Sequence, residues 1–252
     1  MMVRSNKMVD RLMLKFTMAL LVVIPMLLYI GNVKAYNAYT YIPNNAKLYL
    51  PVVNDTSIKF FPEFPNNHRN YFAGLIEQES CVSLTSKMCW NPRSELKTSR
   101  EVGIGLSQIT KAFNRDGSIR FDSLEAMAKN HQSELKELSW KTIAQRPDLQ
   151  IRTIILMTKD NDKELREIKD PIERIKFDDS AYNKGVRGVH NARRICGLKH
   201  NCNPQLWFGN VDQINTTGNK PLYGNQTAFM INTTHVSNVF KIRMNKYKPY
   251  FN

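Results

Sequence analysis

The segment Asn70-Tyr71-Phe72-Ala73-Gly74-Leu75-Ile76-Glu77-Gln78-Glu79 sets two carboxylates two positions apart in an apolar stretch. On a helix of 3.6 residues per turn, Ile76, Leu75 and Phe72 lie three, four and seven positions before Glu79 and share its face. Glu77 falls roughly opposite and is expected to face solvent. A carboxyl among apolar neighbours is desolvated, which penalises its charged form and raises its pKa. A raised pKa suits a general acid that gives up a proton near neutrality. The competing reading of the same pattern is a carboxylate salt-bridged within the core.

Two further segments carry chemistry. In Gly103-Ile104-Gly105-Leu106-Ser107-Gln108-Ile109 the glycines let backbone pass close to a ligand, and Gln108 offers both a donor and an acceptor. Ala181-Tyr182-Asn183-Lys184-Gly185 closes a predicted helix with an aromatic ring and an amide. That pair suits an N-acetylated sugar, the ring against an apolar sugar face and the amide on the acetamido group.

In this order the three segments resemble the soluble lytic transglycosylases of the lysozyme-like superfamily. The resemblance rests on Glu79-Ser80 at a helix end, on Gly105-Leu106-Ser107-Gln108 in place of a Gly-Leu-Met-Gln segment, and on Ala181 to Gly185 as an Ala-Tyr-Asn-X-Gly segment. Ser107 stands where methionine is usual, at a position expected to serve packing. Glu77 to Ser83, Cys89-Trp90-Asn91-Pro92 and Lys97 to Glu101 are similar to a subgroup carried by phages and mobile elements. The likeness covers about residues 44–210.

The resemblance implies cleavage of peptidoglycan glycan strands with one indispensable carboxyl. Glu79 would protonate the glycosidic oxygen between N-acetylmuramic acid and N-acetylglucosamine. As a base it would then deprotonate the muramoyl carbon-6 hydroxyl, leaving a 1,6-anhydromuramoyl end. Ser80 would hold Glu79 in position, and Gln108, Tyr182 and Asn183 would line the sugar sites. No cofactor and no metal are implied. The closest alternative is a hydrolytic lysozyme with a second carboxylate, for which Glu101 and then Asp116 are the candidates. A cationic wall-binding or assembly subunit without activity is the alternative from another class. Trp90 and Trp207 could stack on sugar or simply pack.

Elements that would position these groups can be read along the chain. Helices are predicted over 46–61, 68–80, 106–112, 121–131, 147–168, 171–182 and 233–247, with Asn66 or Asn67 capping the second and Pro147 opening the fifth. Residues 82–101 read as a polar loop. Alternation of period two is scarce, so the fold class is mainly α: a lysozyme-like domain over 46–210, preceded by a spacer over 36–45. A C-terminal extension over 211–252 follows, its helix made basic by Lys241, Arg243, Lys246 and Lys248, either for docking to an anionic wall or membrane or simply as a solvated face. The Asn-X-Thr triplets at Asn54, Asn215, Asn225 and Asn232 are read as loop residues.

Arg4, Lys7, Arg11 and Lys15 precede an apolar run of ~15 residues, Phe16 to Ile30, and then Val33-Lys34-Ala35. The run matches a signal-peptide core and is short of the ~20 residues of a membrane span. Residues 1–35 are read as a signal peptide, or as a signal anchor if uncleaved, and the protein as exported to the periplasm or cell envelope, or anchored in the inner membrane. The chain of 252 residues carries a net charge of +14. Loss of five basic groups and one acidic group with residues 1–35 leaves +10. Such an excess favours anionic partners, among which export argues against nucleic acid. A secretion, conjugation or phage apparatus would each use this chemistry. Short spacings pair Cys81 with Cys89 and Cys196 with Cys202; His200 alone gives zinc little support.

Overall fold

The computed structural model describes residues 37–251; the segment read as an export signal lies outside the described residues. The described chain is mainly helical, with a small antiparallel sheet set into it.

Helix α1 (Ala46–Phe60) gives way just before Pro62, and a short 3-10 turn leads into α2 (Asn70–Ser80). Neither Asn66 nor Asn67 caps α2. Asn66 Oδ1 instead accepts from Arg69 Nε (3.0 Å), while that guanidinium also binds the carbonyls of Phe61, Pro62 and Phe64. Strands β1 (Glu95–Lys97), β2 (Glu101–Ile104), β3 (Ile109–Phe113) and β4 (Ile119–Asp122) form a meander in sequence order. Asp122 then caps α3 (Ser123–Asn130) by accepting from Glu125 N. Helices α4 (Pro147–Glu164) and α5 (Pro171–Lys184) each begin with proline, whose fixed φ suits a first helical position and whose missing N–H costs nothing there. Helix α6 (Val186–Gly197) follows at once. The ribbon β5 (Pro221–Tyr223) and β6 (Gln226–Thr227) leads into α7 (Ala228–Asn238), which widens into a π turn over Val239–Arg243 and tightens into 3-10 turns over Met244–Tyr250. No helix among the described residues is long and apolar enough to cross a membrane.

The helix predicted over 106–112 is a hairpin instead. Residues 105–108 reverse the chain, with Gly105 at φ 79° and Gln108 at φ 41°, so that Ile104 pairs with Ile109. Ile109 and Ala112, the buried members of β3, are three apart and so imitate a helical period. The polar stretch 82–101 likewise holds β1, which is exposed throughout.

Helix α2 is the most enclosed element. Every residue from Asn70 to Glu77 is buried. Phe72, Leu75 and Ile76 pack with Leu50 and Val53 of α1, Ile151 and Ile154 of α4, and Val239, Met244 and Tyr247 from the chain end. A Cβ on Gly74 would lie 2.8 Å from Met244 Cβ, so only glycine lets the terminal turns come this close. The region 211–252, set apart as an extension in the sequence, therefore covers one side of α2 and belongs to the same compact unit as residues 38–210.

That cover corrects the reading of Glu77. It does not face solvent: its side chain is 1 % exposed and accepts from Arg243 Nη1 at 3.1 Å, Lys246 Nζ at 2.9 Å and the Tyr247 hydroxyl. Trp90 Nε1 donates to the same hydroxyl (3.2 Å). Two of the four basic residues expected on a docking face are thus internal, and Lys246 is 1 % exposed. Burial lowers its pKa although Glu77 pulls the other way, and burial followed by the Glu77 charge raises that of Tyr247. Removing one member of a buried pair strands the other charge. We expect Glu77→Gln to lose about 3 to 5 kcal/mol of stability, read as a lower urea midpoint at unchanged slope; a midpoint within error of the parent would refute the role.

Candidate active site

Glu79 ends the buried stretch of α2 and is the acid on it that reaches the surface, its side chain 15 % exposed. The group that meets its carboxylate is one the sequence reading did not select. Glu79 Oε1 lies 2.6 Å from His235 Nε2, and His235 Nδ1 lies 3.0 Å from Asp179 Oδ2. The imidazole is 4 % exposed and Asp179 fully buried. Burial works against charging the ring, but the Asp179 charge and hydrogen bond, then those of Glu79, outweigh it and push the His235 pKa up to about 10.

Helix α7 also fixes the end of α5. Asn232, one turn before His235, accepts from the Ser180 hydroxyl (3.0 Å) and donates to the Ser180 carbonyl and to Asn183 Oδ1, both at 3.1 Å. It is a buried helical residue, not the loop residue its Asn-X-Thr triplet suggested. Asn183 itself is exposed. Tyr182 is half-buried, and its hydroxyl donates to the Ser107 carbonyl at 2.6 Å. Burial, then the charges of Glu79 and Asp179, raise its pKa well above 10, so it stays a phenol.

The hairpin loop is stiff for a reason visible in its bonds. Leu106 N donates to Gln150 Oε1 (2.7 Å), and Gly105 N to the Ser94 carbonyl (2.7 Å). A side chain on Gly105 would collide with the Gln150 amide, 2.1 Å from where its Cβ would stand. Ser107 is fully buried, in keeping with a packing position. Gln108 turns its amide nitrogen back onto the Gly105 carbonyl (3.0 Å) and Ser94 Oγ (3.3 Å), so this donor is spent within the loop.

Three of the selected groups are therefore drawn together: Glu79, Tyr182 beside it, and the loop through Ser107. Others are placed elsewhere or differently. The Ser80 hydroxyl donates to the Ile76 carbonyl (2.7 Å) and accepts the Trp90 amide (3.2 Å), so it ties the helix end to the loop of the Cys81–Cys89 disulfide while His235 holds Glu79. Glu101, on β2, accepts from the Tyr223 hydroxyl and shares no bond with Glu79, His235 or Asp179 among the described residues. Asp116 sits in the exposed β3–β4 turn, bound to Ser118. Trp90 and Trp207 are both fully buried and pack, Trp207 edge-on to Phe177 at 5.2 Å. Cys196 pairs with Cys202, as Cys81 does with Cys89. A cavity of about 350 Å³ lined by Lys59, Glu63, His131, Lys159 and Asp160, among others, includes none of these groups.

His235 and Asp179 escaped sequence reading because they join Glu79 only through the tertiary fold. The available signals were an Asn-x-x-His spacing on the last helix and an Asp-Asp pair next to Phe177. No protein-family model matches the chain, and neither a curated protein nor a solved structure matches it.

The His235 pKa is raised, so its protonation stabilises the fold fully below pH 6.5 and that contribution is lost as pH rises toward 10. The shift corresponds to a contribution on the order of 5 kcal/mol. We expect the stability difference between the parent and His235→Gln, read by denaturant titration, to shrink steadily between those limits. A difference that does not change with pH would contradict the charged imidazole.

Proposed function

We propose that the protein is a peptidoglycan lytic transglycosylase that works with Glu79 as its single acid and base. The observation that carries the reading is the pairing of one partly exposed carboxyl with one wholly buried carboxyl behind it. Glu79 can reach a bound sugar; Asp179 is screened from it by His235. A hydrolase of the usual pattern needs a second carboxylate on the substrate side, to attack directly or to activate water. Glu101 is instead held by Tyr223. With one carboxyl available, the nucleophile that fits is the substrate's own carbon-6 hydroxyl.

Glu79 protonates the oxygen linking N-acetylmuramic acid to N-acetylglucosamine, and the substrate's acetamido group helps stabilise the positive charge developing at the anomeric carbon. The resulting carboxylate then takes the proton of the carbon-6 hydroxyl as that oxygen closes the 1,6-anhydro ring, and no water is consumed. Tyr182, kept as a phenol, gives the sugar an aromatic wall. Asn183 has its Oδ1 taken by Asn232, so the Nδ2 group is the one presented to an acetamido carbonyl. The disulfides fit an oxidising location such as the cell envelope, and the positive charge fits an anionic wall.

The test is digestion of purified cell walls with product analysis by mass spectrometry. We expect 1,6-anhydromuramoyl ends from the protein, and a rate reduced by about 10³-fold in Glu79→Gln, in line with loss of a general acid. Reducing muramic ends would replace the lyase with a lysozyme. Equal clearing by both proteins would remove Glu79 from the chemistry.

A further inference from the structure

His235 and Asp179 are built into the interior at a cost that packing alone does not explain. The imidazole bridges two carboxylates that come from α2 and α5, with Glu79 at 2.6 Å and Asp179 at 3.0 Å. Around it, the charged and titratable groups are few. Tyr71 of α2 is buried beside Asp179, and burial followed by the Asp179 charge keeps it a phenol. Asp178 has both carboxyl oxygens buried without a hydrogen-bond partner. Burial, then the Asp162 charge, raises its pKa well above the usual range despite Arg174, so its charged form is disfavoured. Tyr182 of α5 is a phenol as well. Of the two adjacent aspartates, only Asp179 meets the ring.

Resting on the reading of Glu79 as the acid, we infer that His235, anchored by Asp179, is a positioning residue that stores the proton Glu79 delivers to the glycosidic oxygen. In the open site the ring carries a proton on each nitrogen, one toward each carboxylate. A glycan strand that covers Glu79 removes water from the Glu79–His235 pair, and a pair that loses its solvation favours the neutral form. The Nε2–H bond then breaks, its electron pair stays on nitrogen, and the proton bonds to the Glu79 carboxylate. Nδ1 keeps its own proton and donates it to the Asp179 carboxylate, which holds the ring in that tautomer. Glu79 passes its proton to the glycosidic oxygen as the bond to the anomeric carbon breaks, and the departing sugar leaves with a hydroxyl. Glu79 next takes the carbon-6 hydroxyl proton and returns it to Nε2 as the product leaves. One proton enters the substrate and one comes back, so the relay is restored without water.

This arrangement separates the working pH of the enzyme from that of a lone carboxylic acid. The store stays filled as long as the ring is charged, and its pKa lies at about 10. Anhydro-end release from cell walls by the full protein, measured from pH 5 to 9, tests this against His235→Gln, which keeps a side-chain donor near Glu79. We expect the substituted protein to stay within about threefold of the parent at pH 5, where protons are plentiful in solvent, and to fall at least tenfold behind at pH 8. A loss of the same size at every pH would mean that His235 only shapes the site, and would overturn the inference. Nitrogen-15 spectra of the imidazole groups read the store without catalysis: both His235 ring nitrogens should carry protons at pH 8, in a signal missing from His235→Gln. A neutral ring at that pH overturns the relay even if anhydro ends are produced. A charged ring in a protein that produces no anhydro ends overturns the lyase reading instead, and the use of the relay with it.

Discussion

Two carboxylates on one enclosed helix set the terms for the rest of the structure. Charge is expensive inside a protein unless it is paired and hydrogen-bonded, and α2 buries Glu77 completely and Glu79 almost so. Because they lie on opposite sides of the helix, no single cation can serve both. The chain answers with two different partners. Glu77 receives a guanidinium and an ammonium as ion-pair partners and a phenol as a further hydrogen-bond donor. Glu79 receives an imidazole, the one common side chain whose proton can be released and regained under mild conditions.

Both partners come from the last part of the chain. His235 stands on α7, and Arg243, Lys246 and Tyr247 on the turns beyond it. An uninterrupted α-helix would carry these residues on along one line. The π turn over Val239–Arg243 and the 3-10 turns after it shift the phase of the helix, which places His235 against one side of α2 and the cluster of bases against the other. Gly74 permits the close approach. Glu79 is thereby held by a segment far away in the chain, 156 positions on at His235.

What could be read from the sequence, and what could not, follows from the range of the interactions. Glu79 was legible because its face is set by helical period over seven residues. The disulfides were legible from local spacing, and α4 and α5 from prolines at their first positions. The hairpin around Gly105 was not, because its buried positions are three apart and its loop depends on Gln150 of a later helix. Glu77 was misjudged for a related reason: periodicity shows that two faces differ, but not that both are covered. Of the two readings weighed for an acid on this helix, the core ion pair is present at Glu77, and catalysis is the role proposed for Glu79.

In the proposed reaction, the histidine opposite Glu79 also bears on how a single acid could suffice. An acid that must become a base within one turnover needs an environment that tolerates both states. An arginine at this position would hold Glu79 as a carboxylate, and an apolar residue would hold it as a neutral acid; either would favour one half of the reaction at the expense of the other. An imidazole backed by a buried carboxylate can donate to Glu79 when it is charged and accept from it when it is neutral, with Asp179 fixing the ring in both cases. Under the proposed reaction the pairing therefore gives Glu79 a partner in either protonation state, without a second carboxylate on the substrate side.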